Sequence, residues 1–458
     1  MSVNPKITVY IASHNYGRFL EDAIESVMRQ SVDDWELIII DDGSTDNTPQ
    51  VIDCYRSHPK VRTFREEGIG LPAVCNLALK ESCGDYIIRL DGDDVFNDNI
   101  LLLLKTYLDR DPNLSIIFPD YYLMDESGEV YAHEVIRKCW DEDHLMDLPP
   151  NGACTMIRKH ALVEAGGYRE DLGAQDGLDL WVKLKDNHKM DNINLPLFYY
   201  RRHGNNLTTQ PMRIVNARRE IKKDATLEKM HLLKPVIAVI PCRRNYDFKL
   251  DLWNESLNGK SLLELNIEAC LQSSMIDKII VACDNPGAEK ILKQYTDKRL
   301  SYKSRDEKST LRSANIVDTL RDIISEYDPK FCGTTLLRYV ASPFVSTGTI
   351  EEAITSLAIS GADSASAIEE VNNLIYKRTK YGLTPINLDY GKHVGSESLY
   401  QDASTCVAVR NQTVSRGSLT GASQAGFTVT APESFFISSH HDLEVAKLLM
   451  PPTNSSNT

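Results

Sequence analysis

Strand-like and helix-like segments alternate along the first half of the chain. The stretch ITVYIAS (residues 7–13) reads as a strand, and FLEDAIESVMRQ (residues 19–30) has apolar positions that recur at helical spacing. WELIIIDD (residues 35–42) is apolar on both faces, as a buried parallel strand should be, and CGDYIIRLDGDD (residues 83–94) predicts the next strand. This order predicts a mainly parallel sheet, whose ligands bind beyond the carboxyl ends of the strands.

The second half repeats the alternation from about residue 234. KPVIAVIPCRRNYDFKL (residues 234–250) begins with a strand pattern and continues into an irregular polar loop, and KIIVACD (residues 278–284) predicts a further strand. Between them, Ser261 and Glu264 have the spacing of a capping box at the start of a helix. We therefore predict an α/β protein with two α/β domains in tandem.

The domain boundaries follow from chain length and charge. A chain of 458 residues exceeds one ordinary core, which favours two domains. The basic stretch RIVNARREIKKDATLEK (residues 213–229) predicts the solvated face of a connecting helix, with a membrane-surface patch as the alternative. We predict a first domain over residues 1–212, a basic helical linker over 213–233, a second domain over 234–450 and a disordered tail over 451–458.

Composition narrows the class of protein. The hydrophobic share of 42% and the charged share of 25% are those of a globular protein, and no apolar run approaches the ~20 residues of a membrane span. The N-terminus lacks the pattern of a secretion signal, and the ten cysteines contain no C-x-x-C pair, which predicts reduced thiols and a cytoplasmic location. A net charge of -14 argues against a nucleic-acid partner.

Acidic residues follow two of the predicted strands. Asp41 and Asp42 end one strand, and Asp91, Asp93 and Asp94 end another, so both groups should open onto the same edge of a parallel sheet. Such a concentration of carboxylates is tolerable when a divalent cation neutralises it, and oxygen ligands suit Mg²⁺ or Mn²⁺. A plain Asp-Gly turn is the alternative.

Five motifs give the first half a family resemblance. They are VYIASHNYGRFLEDAIESVMRQS (residues 9–31), IIIDDGSTDNT (38–48), GDYIIRLDGDD (84–94), AGGYREDLGAQDGLDLWVKL (165–184) and YYRRHGNNLT (199–208). In this order they resemble the family 2 glycosyltransferases, an inverting group with the GT-A fold, over roughly residues 5–210. The resemblance implies that Asp41 and Asp42 lie near the nucleotide base and ribose, and that Asp91 and Asp93 hold a metal and the diphosphate.

The resemblance also implies a full set of site residues. The metal ligands would be Asp91, Asp93 and His203, with Mn²⁺ or Mg²⁺ as cofactor. The donor-binding residues would be Ser13, Asn15, Asp41, Asp42, Asn76, Arg89, Asp91 and Arg202.

Inverting transfer needs a general base that takes the proton of the acceptor hydroxyl. The motif AQDGLDLW places Asp176 where the family has this base, with Gln175 in the place of the first of two acids. Asp179 is the competing candidate, and a helix-capping role for Asp176 is the structural alternative.

The second half resembles the CMP-sialic acid synthetases, a cytidylyltransferase family, over about residues 235–450. The resemblance rests on NGKSLLELNIEACLQSSMIDKIIVACDN (residues 258–285), ASPFVSTGTIEEAITSLAISGADSASAIEEV (341–371) and HHDLEVAKLL (440–449). Arg243 and Lys249 match basic positions of the family's phosphate loop, but its glycines are absent, and Phe436 and Ser438 stand where the family has metal-binding acids. We therefore expect a degenerate cytidylyltransferase-like domain that serves dimerisation or ligand binding.

The two resemblances together predict a metal-dependent inverting glycosyltransferase that acts in bacterial surface polysaccharide synthesis, such as capsule or lipopolysaccharide. The expected partners are a nucleotide-diphosphate sugar donor, a glycan or lipid-linked acceptor and a second copy of the chain, with peripheral membrane association as an alternative. One rival is a bifunctional enzyme that also activates a nonulosonic acid with CTP. Another is a non-enzymatic protein that binds sugar nucleotides or assists assembly.

Overall fold

The chain forms two compact units. The computed structural model describes residues 5–134, 152–204, 211–306, 308–311, 313–371, 373–380, 382–386 and 399–450. The first unit contains the described residues up to Ile221 and a short hairpin within residues 373–386, and the second contains residues 222–371 and the described residues from 399 onward. The predicted tail, residues 451–458, lies outside the described residues.

The first unit alternates strands and helices, as the hydrophobic pattern predicts. Its strands are β1 (Ile7–Ser13), β2 (Trp35–Asp42), β3 (Val61–Glu66), β4 (Tyr86–Asp91), β5 (Val95–Phe96), β6 (Leu114–Met124), β7 (Val130–Glu134), β8 (Met156–Arg158) and β9 (Lys189–Arg201). Its helices are α1 (Gly17–Met28), α2 (Thr48–Asp53), α3 (Leu71–Glu81), α4 (Ile100–Arg110), α5 (Lys159–Glu164), α6 (Asp176–Leu184) and the first part of α7 (Pro211–Thr226).

These strands form one mixed sheet in the order β3-β2-β1-β4-β8-β6-β9-β5, with β7 paired to β6. The segment β3-β2-β1-β4 is parallel, and its register pairs Ser13 with Asp41 and Ala12 with Asp91. Every residue of β1 and β2 is buried, because the apolar residues on both of their faces pack into the core. The ends of β1, β2 and β4 therefore meet at one edge of the sheet.

The second unit is also α/β. Its strands are β10 (Val236–Pro241), β11 (Ser256–Leu257), β12 (Lys260–Ser261), β13 (Lys278–Cys283), β14 (Leu300–Ser304), β15 (Thr334–Arg338) and β16 (Ser364–Glu370), followed after the hairpin β17 (Tyr376–Thr379) and β18 (Gly382–Pro385) by β19 (Tyr400–Arg410) and β20 (Gln424–Thr428). Its helices are the last part of α7, α8 (Leu262–Leu271), α9 (Gly287–Leu292), α10 (Ile316–Tyr327), α11 (Thr347–Ser360), α12 (Asn411–Ser415) and α13 (His440–Leu449), with 3-10 turns at Met230–Leu233, Leu252–Asn254 and Lys308–Thr310. The main sheet has the order β14-β13-β10-β15-β19-β16-β20. The predicted capping box of Ser261 and Glu264 is confirmed at the start of α8.

Helix α7 differs from the exposed connecting helix that its basic sequence predicts. Arg218 is 4% exposed and Lys222 is fully buried. The ammonium group of Lys222 lies 3.1 Å from a carboxylate oxygen of Glu352 and donates a hydrogen bond to Ser356 Oγ. The prediction of a solvated basic face is wrong at these two positions, because a basic side chain can be buried when its charge is paired.

None of the helices in the described part of the chain combines the length and apolar character needed to cross a membrane.

Candidate active site

The first unit contains a cavity of about 910 Å³ at the carboxyl edge of its parallel strands. Nine of the eleven predicted site residues line it: Ser13, Asn15, Asp42, Arg89, Asp91, Asp93, Asp176, Arg202 and His203. The two others, Asp41 and Asn76, are not among its lining residues. Segments far apart along the chain thus bring most of the predicted residues to one concave site.

The acidic turn after β4 meets the end of β9. Because β5 pairs with β9 so that Val95 faces Tyr199, the residues just before β5 lie beside those just after β9. As a result, Nε2 of His203 lies 2.9 Å from Oδ2 of Asp93, and both side chains are nearly or fully buried. The neighbouring Asp94 accepts a hydrogen bond from the backbone N–H of Arg201 at 2.9 Å, which gives it a structural contact at the same junction.

Electrostatics at this turn favour an added cation. Burial raises the pKa of Asp91 to about 6; the nearby Arg89 opposes the shift, and the carboxylates of Asp93 and Asp176 add to it. Burial, together with the carboxylates of Asp93 and Asp91, raises the pKa of Asp94 well above its ordinary value. Crowded carboxylates that resist ionisation are relieved by a bound divalent cation, which prefers oxygen ligands.

The donor set therefore suits Mg²⁺ or Mn²⁺ in its chemistry. No group of three or more His, Cys, Asp or Glu side chains within the described ranges is already arranged to hold a metal ion. Two carboxylates and one imidazole are a partial coordination set, and Mg²⁺ commonly completes such a set with substrate phosphates and water. The residues present fit a metal that binds together with a diphosphate.

Arg89 connects the acidic turn to the candidate base. Its side chain is 5% exposed, with Nε 2.9 Å from Oδ1 of Asp91 and a terminal nitrogen 2.6 Å from Oδ2 of Asp176. Gly152 provides the space for this arrangement, since a Cβ at that position would lie 2.2 Å from Oδ2 of Asp176 and 3.2 Å from a terminal nitrogen of Arg89. One buried cation therefore holds the carboxylates of Asp91 and Asp176 at set positions.

The two candidates for the base differ in their surroundings. Asp176 is the first residue of α6, follows Gln175 in the left-handed conformation (φ 65°), and lines the cavity. Asp179 is 4% exposed, is not among the lining residues and forms an ion pair with Lys183 at 2.7 Å. Only Asp176 is therefore placed to meet a substrate in this cavity.

Two predicted donor-binding residues shape the wall of the cavity through backbone contacts. Both carboxylate oxygens of Asp42 accept hydrogen bonds from backbone N–H groups, that of Ile69 at 2.6 Å and that of Gly70 at 2.9 Å. Oδ1 of Asn15 accepts a hydrogen bond from the backbone N–H of Thr45 at 2.8 Å. These two side chains thus fix the loops that surround the cavity.

The two predicted residues that do not line the cavity have other contacts. Asp41 accepts a hydrogen bond from the backbone N–H of Ser44 at 2.9 Å and lies 3.4 Å from a guanidinium nitrogen of Arg65. Asn76 exchanges two hydrogen bonds of 2.9 Å with the backbone of Tyr168. Asn76 therefore supports the motif that precedes Asp176 and does not itself face the cavity.

Several lining residues were not predicted as site residues. They are chiefly Tyr16, Arg18, Tyr121, Gln175, Tyr200 and Arg213. Tyr16, Arg18, Gln175 and Tyr200 lie inside the motifs that carry the family resemblance, so the motifs contain a signal for them. Tyr121 and Arg213 lie outside those motifs, and only the folded structure brings them to the cavity.

At the carboxyl edge of the second sheet, the residues that match the family's basic positions have intramolecular contacts. The ammonium group of Lys249 lies 2.8 Å from Glu255, and the guanidinium of Arg243 lies 4.9 Å from the ring centre of Tyr246. Ser438 donates a hydrogen bond to Asp442 at 2.7 Å. Lys249, Arg243 and Ser438 each therefore have a partner within the second unit.

Comparison with known proteins assigns each half to a family. The family described as "Glycosyl transferase family 2" matches residues 8–162, and the family described as "Cytidylyltransferase" matches residues 255–410. EpsE of Bacillus subtilis is 32% identical over 191 residues, which cover 40% of this chain and 68% of that protein. The chain belongs to glycosyltransferase family 2 through its N-terminal half, and its C-terminal half carries a cytidylyltransferase-type domain. Both predicted resemblances are confirmed.

Two further similarities cover part of the chain. The chondroitin synthase of Escherichia coli is 24% identical over 211 residues, which cover 46% of this chain and 31% of that protein, so the match spans about a third of the relative's length. The crystal structure of S. aureus TarS residues 1–349 with UDP-GlcNAc has a TM-score of 0.41 and 18% identity, covering 49% of this chain and 66% of that one. The assignment of the N-terminal half to glycosyltransferase family 2 rests on the family match and on the similarity to EpsE, not on these two partial similarities.

Proposed function

We propose that the first unit transfers a sugar from a nucleotide-diphosphate donor to a hydroxyl acceptor, with inversion at the anomeric carbon and with a divalent cation. The observation that carries the proposal is that one cavity is lined both by the candidate metal ligands, Asp91, Asp93 and His203, and by the candidate base, Asp176. Arg89 lies between the two groups and contacts Asp91 and Asp176. Family membership supports glycosyl transfer, and the placement of these groups supports a metal-assisted displacement.

The residues that would hold the cation are Asp91, Asp93 and His203, with the donor diphosphate completing the set. A divalent cation held there would supply positive charge to the departing diphosphate. Arg202 also lines the cavity next to His203, and its guanidinium is suited to a phosphate oxygen. Asp42 and Asn15 maintain the wall against which the nucleoside would lie.

Asp176 would act as the general base. Its carboxylate takes the proton of the acceptor hydroxyl while the oxygen forms a bond to the anomeric carbon and the bond from that carbon to the diphosphate breaks. Arg89 fixes the orientation of the Asp176 carboxylate and its position relative to the carboxylate of Asp91. Gly152 is required because a side chain there would displace both partners.

The relatives suggest a biological role in polysaccharide synthesis. One of them is named chondroitin synthase, and we extend that class of product to this chain as a proposal: a bacterial surface glycan, as in capsule or lipopolysaccharide. The acceptor would then be a growing glycan or a lipid-linked sugar.

We propose that the second unit does not transfer cytidylyl groups and that it pairs two copies of the chain. The engagement of Lys249 by Glu255, the stacking of Arg243 on Tyr246 and the absence of acids at Phe436 and Ser438 support the loss of activity. Pairing by a two-fold axis is the commonest way in which soluble chains associate with copies of themselves.

A nucleotide-sugar screen tests the main proposal. We would incubate the full chain with UDP-, GDP-, CMP- and dTDP-sugars and measure Mn²⁺-dependent thermal stabilisation and release of the nucleotide. A donor at 100 times its Kd should add about 2.7 kcal/mol of stability. We expect a nucleoside-diphosphate sugar to stabilise the chain and to be cleaved slowly with Mn²⁺. Absence of any Mn²⁺-dependent stabilisation or cleavage across the screen would exclude the proposed function.

A further inference from the structure

Two polar side chains on the base side of the cavity have no partner among the residues that the structure describes. The amide of Gln175 and the guanidinium of Arg213 both line the cavity, and neither forms a side-chain hydrogen bond or ion pair with the described residues. Two other arginines of the wall differ in this respect: Arg89 is paired with Asp91 and Asp176, and Arg18 is paired with Glu126. Arg202, the fourth, is the one assigned above to the donor phosphate.

The position of Arg213 places its charge beside the loop that leads to the candidate base. Arg213 lies near the start of α7, and a Cβ added to Gly173 would lie 2.9 Å from its Nε. Gly173 therefore leaves room for the guanidinium against the segment 173–176, of which Gln175 and Asp176 are the last two residues. The guanidinium of Arg213 thus lies against the segment that carries Gln175 and Asp176.

This location points to the acceptor, because a general base must lie within hydrogen-bond reach of the hydroxyl that it deprotonates. The donor diphosphate is assigned to the other groups, the cation at Asp91 and Asp93 and the guanidinium of Arg202. A sugar ring whose hydroxyl approaches Asp176 would present its remaining substituents to Gln175 and Arg213.

Charge then selects the kind of acceptor. The cavity is lined by five carboxylates: Asp42, Asp91, Asp93, Asp94 and Asp176. These carboxylates would repel an acidic acceptor unless a cation lies close to its negative group. A neutral acceptor has no such need for a cation beside the base. A guanidinium binds carboxylate and phosphate groups with two parallel hydrogen bonds, and a glutamine amide can donate a third.

We infer that Gln175 and Arg213 form an acceptor subsite for a sugar with an anionic substituent, a carboxylate or a phosphate. This inference rests on the proposed function, since it assigns the acceptor of the same reaction. It adds the chemical class of the acceptor and two residues that recognise it.

Binding of three simple glycosides to the full chain tests the subsite without turnover. The probes are methyl β-D-glucuronide, methyl β-D-glucoside and methyl β-D-glucoside 6-phosphate, measured by saturation-transfer NMR titration in the presence of the diamagnetic Mg²⁺. We expect at least one acidic glycoside to bind about 10-fold or more tightly than the neutral one, the scale of one charged hydrogen bond. Preference for the uronide assigns a carboxylate, and preference for the phosphate ester assigns a phosphate.

Matched variants separate the subsite from general charge effects. Arg213→Gln should remove the preference for the acidic glycoside, Arg213→Lys should keep part of it, and Arg56→Gln, which removes an exposed charge paired with Asp53, should leave it unchanged. Donor-induced thermal stabilisation should be the same in all four proteins, which verifies folding and donor binding.

Two results would overturn the inference: equal binding of acidic and neutral glycosides by the unmodified chain, or an acid preference that persists in Arg213→Gln. Either result leaves the donor measurements intact, so the proposed transferase function would stand. Loss of all donor binding and cleavage in the unmodified chain would instead overturn the proposed function, while the glycoside titration would still report on the anionic subsite.

Discussion

The guanidinium of Arg89 donates a 2.6 Å hydrogen bond to Oδ2 of Asp176 across 87 positions of sequence. The same side chain lies 2.9 Å from Asp91, so the candidate base and a candidate metal ligand share one buried cation. This relationship couples the two halves of the proposed reaction, deprotonation of the acceptor and departure of the diphosphate. It also makes the geometry of the site sensitive to small changes around Arg89.

Removing a metal ligand should abolish transfer. Asp93→Asn takes one charge from the proposed cation site while keeping the size of the side chain, so we expect loss of Mn²⁺-dependent donor cleavage in a folded protein. Donor cleavage assays at increasing Mn²⁺ concentration, together with circular dichroism, check this. Asp98→Asn, at an exposed position 3.8 Å from Arg29, is the matched control and should behave like the unmodified chain. Near-normal turnover of Asp93→Asn would contradict the metal assignment.

The base assignment predicts different outcomes for two nearby carboxylates. Asp176→Asn should lower kcat by about 100-fold or more while donor and metal still bind, which is the usual scale for loss of a general base. Asp179→Asn should mainly lower the free energy of unfolding, because it removes the charge that pairs with Lys183. This ion pair is not part of the cavity lining, so kcat should change little. Steady-state kinetics and thermal melting of both variants decide between them. If Asp179→Asn loses the rate and Asp176→Asn does not, the base is one helical turn away from Asp176.

The space at Gly152 predicts a rate defect from a small substitution. In Gly152→Ala the new methyl group would lie 2.2 Å from the Asp176 carboxylate, so the carboxylate or Arg89 must move. We expect kcat to fall at least about 10-fold, since misplacement of a reacting group by about 1 Å can cost about 100-fold in rate. Gly204→Ala is the control, because a Cβ there meets no atom of the described residues within 4 Å. Equal rates for the two variants would show that Gly152 does not limit the site.

The buried ion pair of Lys222 and Glu352 predicts an asymmetric effect on stability. Glu352→Ala leaves the fully buried ammonium of Lys222 without this carboxylate, and we expect a loss of about 3–5 kcal/mol in the free energy of unfolding. Replacing both residues, with Lys222→Met and Glu352→Leu together, should cost much less, because neither charge of this pair is then left buried without the other. Urea denaturation of the single and double variants measures the difference. A double variant as unstable as Glu352→Ala would argue that lost packing, and not the unpaired charge, causes the destabilisation.

For the second unit we expect homodimerisation of the chain and no cytidylyl transfer. Incubation of the full chain with CTP and a nonulosonic acid should release no pyrophosphate above background, while light scattering should give the mass of a homodimer. Pyrophosphate release would favour the bifunctional enzyme, and a monomeric mass would contradict the proposed role in pairing.

The order of hydrophobic segments was enough to predict two α/β units and the carboxyl edge at which the site lies. The carboxyl ends of parallel strands lie at the same edge of the sheet for any conformation of the connecting loops. Asp42 and Asp91 could therefore be assigned to one edge from the sequence. The motif around Asp176 likewise identified the candidate base, because its residues are close along the chain.

Contacts between distant segments were decided only by the tertiary structure. The pairing of β5 with β9 brings His203 to Asp93, the packing around Gly152 lets Arg89 reach Asp176, and α7 carries Arg213 to the cavity while burying Lys222. Hydrophobic periodicity states which face of an element is buried and does not state which element covers it. The partners of these polar side chains therefore depend on packing between elements, which no local pattern records.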